Sequence, residues 1–387
     1  LERRCSRRYF DVSIKRVTVS EEHEHLFREN KKAHRQERKY KQAKDRSKFK
    51  KTDIGKWEAQ RKSDLLRSEV NEGLPLGRVL SITPQGFEVE SEGILYACSL
   101  RGLLKKERGQ DKNLVTTGDF VRFNPIGSGE GQIYSVEERK SLLARADNLS
   151  RKKMQLIAAN IDQVLITLSV VNPPLKPFLA DRYIIAAEKG GMQPVLIINK
   201  IDLLEQPLPD DLQGEKPLFE EFVESYHKTG IPVIVVSTKT GEGMDALKSI
   251  MKDKTSVFSG QSGVGKSSLI NAMTDFTLKT GGIVEKTRKG SHTTTTAKLL
   301  ALPFGGFCID TPGIKSFGVW NLDREELESY FDEIHSLGAD CKYPDCRHME
   351  EKECAVKAAL ETKALSPLRY YSYINLLQTI EEDHVKR

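Results

Sequence analysis

The sequence predicts a three-part α/β protein preceded by a basic extension, and three patterns along the chain support this. Short β-rich segments separated by turns occupy residues 71–148, which is typical of a small barrel. Between 149 and 320, apolar strand-like runs alternate with amphipathic helical stretches, the pattern of a parallel sheet covered by helices. Residues 321–387 are charged and helical and carry a cluster of cysteines and a histidine.

The composition indicates a folded chain with a basic arm at one end. The 387 residues are enough for two or three domains, and 38% hydrophobic with 30% charged residues allows most of them to bury a core. The net charge of +6 is concentrated in residues 1–70, which hold 22 Lys/Arg against 12 Asp/Glu and leave the rest slightly negative. This arm is either a solubilising tail or, the interpretation we favour, a segment that neutralises phosphates on nucleic acid.

Membrane and secretory classes are not expected. No apolar run approaches the roughly 20 residues that cross a bilayer, and the arginines near the N-terminus are not followed by an uninterrupted apolar stretch. Six cysteines are too few for a disulfide scaffold of this size, so a reducing compartment fits best. A cytoplasm is the expected location, with an organelle matrix as the alternative.

Residues 71–148 contain five candidate strands at regular spacing. They are Gly77–Ile82, Phe87–Val89, Ile94–Ala97, Gly118–Phe123 and Gly131–Val136. This pattern predicts a barrel of OB type, although an SH3-like barrel would produce a similar one. Tyr96, Phe120 and Phe123 are candidates for stacking on RNA bases, but we expect core packing for each.

The α/β region contains five apolar runs that predict a parallel sheet. They are Val164–Val171, Val195–Ile198, Val233–Val236, Ser256–Phe258 and Phe307–Ile309.

A phosphate-binding loop follows the fourth of these runs. The motif G-x-x-x-x-G-K-[ST] is matched by Gly260-Gln261-Ser262-Gly263-Val264-Gly265-Lys266-Ser267, with a helical run beginning at Ser268. The glycines let backbone N–H groups turn towards phosphate oxygens at the positive end of the helix dipole. We expect Lys266 to reach the β- and γ-phosphates and act in catalysis, and Ser267 to bind Mg²⁺.

A base-recognition motif, Asn199-Lys200-Ile201-Asp202, follows the second run. An aspartate here can accept hydrogen bonds from the ring N–H and the exocyclic amine of guanine, a pair of donors that adenine lacks. Taken alone the motif is compatible with an ordinary turn, but together with the phosphate loop it indicates guanine. Ser237-Thr238-Lys239, after the third run, is expected to add a backbone contact to the base.

Asp310-Thr311-Pro312-Gly313, after the fifth run, completes the nucleotide set. Asp310 is placed to hold Mg²⁺ through water, and the N–H of Gly313 to sense the γ-phosphate. The polar stretch before it supplies a switch threonine for Mg²⁺, with Thr294 and Thr295 as candidates.

The order of these motifs indicates a circular permutation, because the base-recognition motifs precede the phosphate motifs. From about residue 74 to 380 the chain resembles the RsgA (YjeQ) family of circularly permuted, ribosome-associated GTPases. The predicted fold is therefore an α/β, circularly permuted P-loop GTPase core with an N-terminal OB-type β-barrel and a C-terminal α-helical zinc-binding subdomain. The expected domains are 1–70, 71–148, 149–320 and 321–387.

The resemblance implies a GTP hydrolase that binds the small ribosomal subunit and its rRNA, assists its late maturation and is stimulated by the subunit. GTP and GDP with Mg²⁺ are the implied ligands, no membrane partner is expected, and the chain is expected to be monomeric. Ile314 stands where Ras-like enzymes place a water-orienting glutamine, so slow intrinsic hydrolysis is expected. The resemblance assigns that role to His292, whose alternative is a surface histidine without a role. The competing function is a non-catalytic RNA-binding factor that holds GTP as a structural ligand.

The cysteine–histidine cluster predicts a structural zinc site. Three thiolates and one imidazole form a closed tetrahedral set, although unrelated buried cysteines are the alternative. The candidate ligands are Cys341, Cys346, His348 and Cys354. Beyond them, Ser366–Leu377 predicts a helix with a proline at its start, whose tyrosines either pack on the metal subdomain or contact RNA.

Overall fold

Eleven strands of the chain form one continuous sheet that curls into a barrel at one end and is covered by helices at the other. The computed structural model describes residues 73–101, 114–146, 154–205, 207, 213–274, 297–310, 322, 324–343 and 345–385. The basic arm at 1–70 lies outside the described residues. Among the described helices, none combines the length and the apolar character needed to cross a membrane.

The N-terminal part is a five-stranded barrel. Its strands are β1 Leu76–Thr83, β2 Gly86–Ser91, β3 Ile94–Leu100, β4 Phe120–Gly127 and β5 Glu130–Val136. They hydrogen-bond in the order β1-β2-β3-β5-β4, and β4 pairs back with β1 to close the barrel. This closed Greek-key order confirms the OB-type prediction over the SH3-like one.

The closed barrel has a packed interior because its strands turn alternate side chains inwards. Val79, Val121, Phe123 and Ile133 are fully buried on the inner face. Phe123 therefore packs in the core as expected, and the ring of Tyr96 lies 5.0 Å from it.

The α/β half of the sheet contains six strands among the described residues. They are β8 Gln163–Ser169, β9 Gln193–Asn199, β10 Val233–Val235, β11 Thr255–Ser259, β12 Lys298–Ala301 and β13 Phe307–Asp310. Their spatial order is β10-β9-β8-β11-β13-β12, with the first five parallel and β12 antiparallel. Strands β8 and β11 are buried at every position, since helices cover both faces. The helices are α1 Pro177–Lys189, α2 Glu215–His227, α3 Met244–Met251 and α4 Lys266–Met273.

The described residues contain three strands that the sequence analysis did not predict. Strands β6 Leu142–Ala146 and β7 Met154–Ala159 form an antiparallel pair between the barrel and β8. The third, β12, pairs with β13 and also meets β1 of the barrel at Ser81 and Lys298.

The barrel and the α/β half of the sheet are joined by more than this strand pairing. The hydroxyl of Thr117 donates to the carbonyl of Ala297, at 2.9 Å, just before β12. Arg78 of β1 donates to Thr255 Oγ1 at 2.8 Å and to the carbonyl of Asn160 at 3.0 Å. Burial lowers the pKa of Arg78, although the charges of Asp162 and Glu90 oppose this. Side chains of the barrel therefore reach the start of the strand that leads into the phosphate loop.

The C-terminal part is helical, as predicted. Its helices are α5 Arg324–Glu328, α6 Asp332–Gly338, α7 Ala355–Glu361 and α8 Pro367–Val385. Tyr370 and Tyr373 of α8 are buried in this subdomain, whereas Tyr371 is 58% exposed.

A buried arginine connects α8 to α1 of the α/β half. The guanidinium of Arg369 contacts the carboxylates of Asp181 in α1 and Glu333 in α6, the latter at 2.6 Å. It also lies 4.3 Å from the ring of Phe331 and 5.3 Å from that of Tyr226. A buried guanidinium is tolerated here because carboxylates and aromatic faces surround it.

Candidate nucleotide site and metal centre

The phosphate loop connects the buried strand β11 to the first residue of α4. Gly260 and Gly265 have positive φ angles of 146° and 98°. A Cβ atom on Gly260 would lie 2.1 Å from the carbonyl oxygen of Thr167, and one on Gly265 would lie 2.3 Å from Asn199 Nδ2. Glycine is therefore required at these two positions by both conformation and space.

The amine of Lys266 folds back over this loop. Its Nζ donates to the carbonyl oxygens of Gly260 and Gln261, each at 2.7 Å. Burial lowers the pKa of Lys266 to about 8. Ser262, Gly263 and Ser267 are exposed at the N-terminal end of α4, where backbone N–H groups and the helix dipole favour an anion.

The turn after β9 is hydrogen-bonded to the phosphate loop. Asn199 is buried and donates from Nδ2 to the carbonyl oxygen of Val264 at 2.9 Å. Lys200 donates from Nζ to the carbonyl oxygen of Gly263 at 2.7 Å and also to that of Asn172. Two side chains of the base-recognition motif thus fix the position of the phosphate loop.

Asp202 is held by the turn that follows β10. Ser237 Oγ donates to Asp202 Oδ1 at 2.7 Å, and Lys239 Nζ lies 3.9 Å from Oδ2. Ser237 also accepts from the backbone N–H groups of Lys239 and Thr240 at 3.2 Å. Asp202 is only 8% exposed, so its carboxylate has little freedom to move.

These groups meet because β9, β10, β11 and β13 are parallel and their carboxyl ends share one edge of the sheet. Asp310 is the last residue of β13, whose Ile309 pairs with Val257 of β11. Four sequence-predicted residues lie outside the described residues: His292, Thr294, Thr295 and Gly313.

The contact of Lys200 with Asn172 is a feature that the motif analysis missed. Asn172 lies in the Asn-Pro-Pro turn directly after β8, at the same edge of the sheet. A turn rich in proline at a strand's carboxyl end was the available signal for it.

The cysteine–histidine cluster is assembled and buried. The four candidate ligand atoms all lie within 4.8 Å of one another. Cys341 Sγ lies 3.8 Å from Cys354 Sγ, and His348 Nδ1 lies 3.5 Å and 3.4 Å from these two sulfurs. Tetrahedral zinc with Zn–S bonds of about 2.3 Å requires sulfurs about 3.8 Å apart, so the donor set fits this ion.

The surroundings of the cluster act differently on its thiols: burial and the charges of Cys341 and Cys354 raise the pKa of Cys346, whereas Cys341 is favoured as a thiolate. Burial opposes ionisation of Cys341, but hydrogen bonds from His348 and from the backbone of Val356 and Ala355 outweigh it and lower the pKa of this thiol to about 6. Tyr370 of α8 donates to the backbone carbonyl of His348 at 2.7 Å. The cluster is thus a candidate metal centre inside the C-terminal core.

The strand order, together with the hydrogen bonds between the phosphate loop and the base-recognition turn, defines a class of protein. A phosphate loop and a guanine-type turn meet at one edge, yet the guanine-type turn comes first along the chain. That arrangement is a circularly permuted P-loop GTPase.

Comparisons with known proteins agree with this class. The family model described as RsgA GTPase matches residues 136–320. The chain is 36% identical over 314 residues to the small ribosomal subunit biogenesis GTPase RsgA of Flavobacterium psychrophilum. The matched region covers 80% of this chain and 94% of that protein. The protein of the same name from Shewanella oneidensis is 39% identical, with coverage of 80% and 85%. The chain belongs to the RsgA GTPase family.

Solved structures give the same result. The crystal structure of YjeQ from Thermotoga maritima is similar with a TM-score of 0.61 and 34% identity, covering 79% of this chain and 98% of that one. The crystal structure of YloQ, a circularly permuted GTPase, is similar with a TM-score of 0.61 and 28% identity, covering 82% and 98%.

Proposed function

We propose that this chain hydrolyses GTP while bound to the small ribosomal subunit, and that it assists the late maturation of that subunit. The names of its relatives, which cover four fifths of the chain, support the pathway. The observation that carries the nucleotide part is the fastening of the phosphate loop to the base-recognition turn by Asn199 and Lys200.

In this proposal the nucleotide replaces contacts that the protein makes with itself. The ammonium of Lys266 leaves the carbonyls of Gly260 and Gln261 for the β- and γ-phosphates. Asp202 accepts from guanine, and Ser237 keeps its carboxylate oriented. Further nucleotide contacts come from Thr238 and Lys239 and from the phosphate loop as far as Ser268.

Magnesium is the ion expected beside the phosphates. Ser267 and Asp310, with Thr294 or Thr295, would hold it, where it would neutralise charge on the transferred phosphoryl group. Gly313 would sense the γ-phosphate and His292 would orient the attacking water once the subunit is bound.

The metal centre is proposed to hold one structural zinc ion through Cys341, Cys346, His348 and Cys354. All four ligands come from protein, so no coordination position is open for catalysis. Zinc would there stabilise the fold of the subdomain rather than take part in GTP hydrolysis.

Binding of rRNA is proposed for the barrel and the metal subdomain, with the basic arm adding a salt-sensitive contribution. The domain division at 70, 148 and 320, a monomeric state and a location in bacterial cytoplasm or an organelle matrix belong to the same proposal.

GTP turnover measured with and without purified small ribosomal subunits tests the function. We expect low turnover of the protein alone and strong stimulation by subunits, with His292→Ala losing the stimulated part. The measurement also distinguishes the second candidate, a non-catalytic factor that Ile314 favours because this residue cannot orient water. Tight GTP binding with no turnover in the presence of subunits would favour that candidate.

A further inference from the structure

His348 of the metal centre has two ring nitrogens, and only one of them faces the other candidate ligands. His348 is fully buried, and its Nδ1 faces the sulfurs of Cys341 and Cys354 at 3.5 Å and 3.4 Å. Nδ1 is therefore the nitrogen that faces the metal position. Nε2 lies on the other side of the ring, is also buried and has no hydrogen-bond partner among the described residues.

A carboxylate faces this nitrogen. Glu328 is the last residue of α5, and its Oε2 lies 3.8 Å from His348 Nε2. Its other oxygen lies 3.4 Å from His335 Nδ1. An N–H···O hydrogen bond has a length of about 3 Å, so a shift of less than roughly 1 Å brings Glu328 into bonding distance.

A glycine leaves the space in which Glu328 and His348 approach each other. A Cβ atom on Gly338, the last residue of α6, would lie 3.0 Å from Glu328 Oε1 and 3.3 Å from His348 Nε2. Such contacts are tighter than ordinary van der Waals packing, so any side chain at this position would press on both partners. The close approach of the two helix ends to His348 thus depends on Gly338.

We propose that Glu328 is the positioning residue of the metal centre. When Nδ1 binds the metal, Nε2 carries the proton, and the carboxylate of Glu328 accepts this N–H. The bond fixes the tautomer and the orientation of the imidazole and makes Nδ1 a better donor. This role rests on the proposed zinc centre but is separate from the identity of the four ligands.

The same helix also contacts the GTPase half. Glu326, two residues earlier in α5, lies 3.1 Å from the amine of Lys189, the last residue of α1. One short helix thus carries an acidic residue directed at the metal centre and another directed at the GTPase core. Glu326 is a matched control, because its loss removes an acid from α5 without touching His348.

The experiment measures zinc release from the full-length, zinc-loaded protein to a chromogenic chelator. We expect Glu328→Ala to release zinc about 10 to 100 times faster than wild type. Glu328→Gln, whose amide oxygen still accepts, is expected to lie in between, and Glu326→Gln to match wild type. Gly338→Ala should also speed release, although Glu328 and all ligands remain.

A long-range ¹H–¹⁵N spectrum of the histidine side chains provides a readout that general loosening would not move. In wild type it should report Nε2–H and a metal-bound Nδ1 for His348, with the Nε2–H resonance shifted in Glu328→Gln. Release from Glu328→Ala at the wild-type rate, or equal acceleration in Glu326→Gln, would overturn the positioning role alone. Wild-type protein purified without a chelator and found free of zinc would overturn the metal centre and, with it, this role.

Discussion

The nucleotide site and the metal centre differ in the exposure and the bonding of the atoms proposed to bind their ligands. In the nucleotide site Lys266 bonds to carbonyls of its own loop, and Ser262 and Ser267 are exposed. In the metal centre all four donors are buried, and the distances among three of them match a tetrahedral ion. The first arrangement suits a ligand that enters and leaves, and the second suits the proposed metal ion, which would stay bound.

The largest expected effect comes from breaking the permanent site. Cys354→Ser should abolish stoichiometric zinc and make α8 sensitive to protease, because structural zinc contributes on the order of 10 kcal/mol of coupled binding and folding free energy. Metal analysis and limited proteolysis measure this. GTP affinity should change far less than zinc content.

Cys98→Ala is the matched control, since Cys98 is a buried cysteine in the barrel. It should keep its zinc and its resistance to protease in α8. If Cys354→Ser retains one zinc per chain, the distinction between a permanent and an exchanging site fails.

The next effect concerns the exchanging site. Lys266→Ala should weaken GTP binding about 100-fold, because a hydrogen bond to a charged group contributes roughly 1.5–3 kcal/mol. Titration calorimetry measures the affinity, and zinc content should be unchanged. Lys252→Ala, an exposed lysine at the end of α3, serves as the control; similar losses in the two variants would point to bulk charge instead.

A smaller change tests how Asp202, the proposed guanine-binding group, is held. Ser237→Ala removes the hydroxyl that donates to Asp202 at 2.7 Å. We expect about fivefold weaker GTP binding, corresponding to roughly 1 kcal/mol. Discrimination against inosine triphosphate, which lacks the exocyclic amine, should also fall.

Ser249→Ala, an exposed serine on α3, is the control for this change and should behave as wild type. Unchanged affinity and unchanged discrimination in Ser237→Ala would show that Asp202 is oriented without the hydroxyl.

The smallest effect is expected at a buried thiol that belongs to neither site. Burial raises the pKa of Cys98 to about 11, so at pH 8 only about 0.1% of it is thiolate. Cys98 should therefore remain unalkylated by iodoacetamide in native protein and react only after unfolding. Mass spectrometry of peptides checks this, and rapid native labelling would show that the barrel core opens readily.

The candidate sites could be found from the sequence where their residues are close along the chain. The phosphate loop, the base-recognition turn and the cysteine cluster each lie within about fifteen residues, so local motifs pointed to them, the base-recognition turn only in combination with the phosphate loop. Glu328 and Asn172 could not be found in this way. They reach His348 and Lys200 from 20 and 28 residues away, across contacts that only the packed fold creates.

The missed strands have a related cause. In β6 and β7, alanine occupies four of eleven positions, and it has little preference for strands. In β12 only Leu299 and Leu300 of four residues are buried, and its place is set by pairing with β13 and β1. Strands of this kind are specified by their partners more than by their own sequence.

The strand order also has a consequence for the growing chain during synthesis. Strand β11 lies between β8 and β13, so β8 emerges from the ribosome about ninety residues before its neighbour on that side. During this interval β10, β9 and β8 can pair, but the outer edge of β8 has no partner strand from the completed sheet. Every residue of β8 is buried in the finished protein, so this edge is a site for misassociation until β11 arrives. Because of the permutation, β8, β9 and β10 are therefore synthesised before β11 and β13, the strands that complete the sheet beside β8.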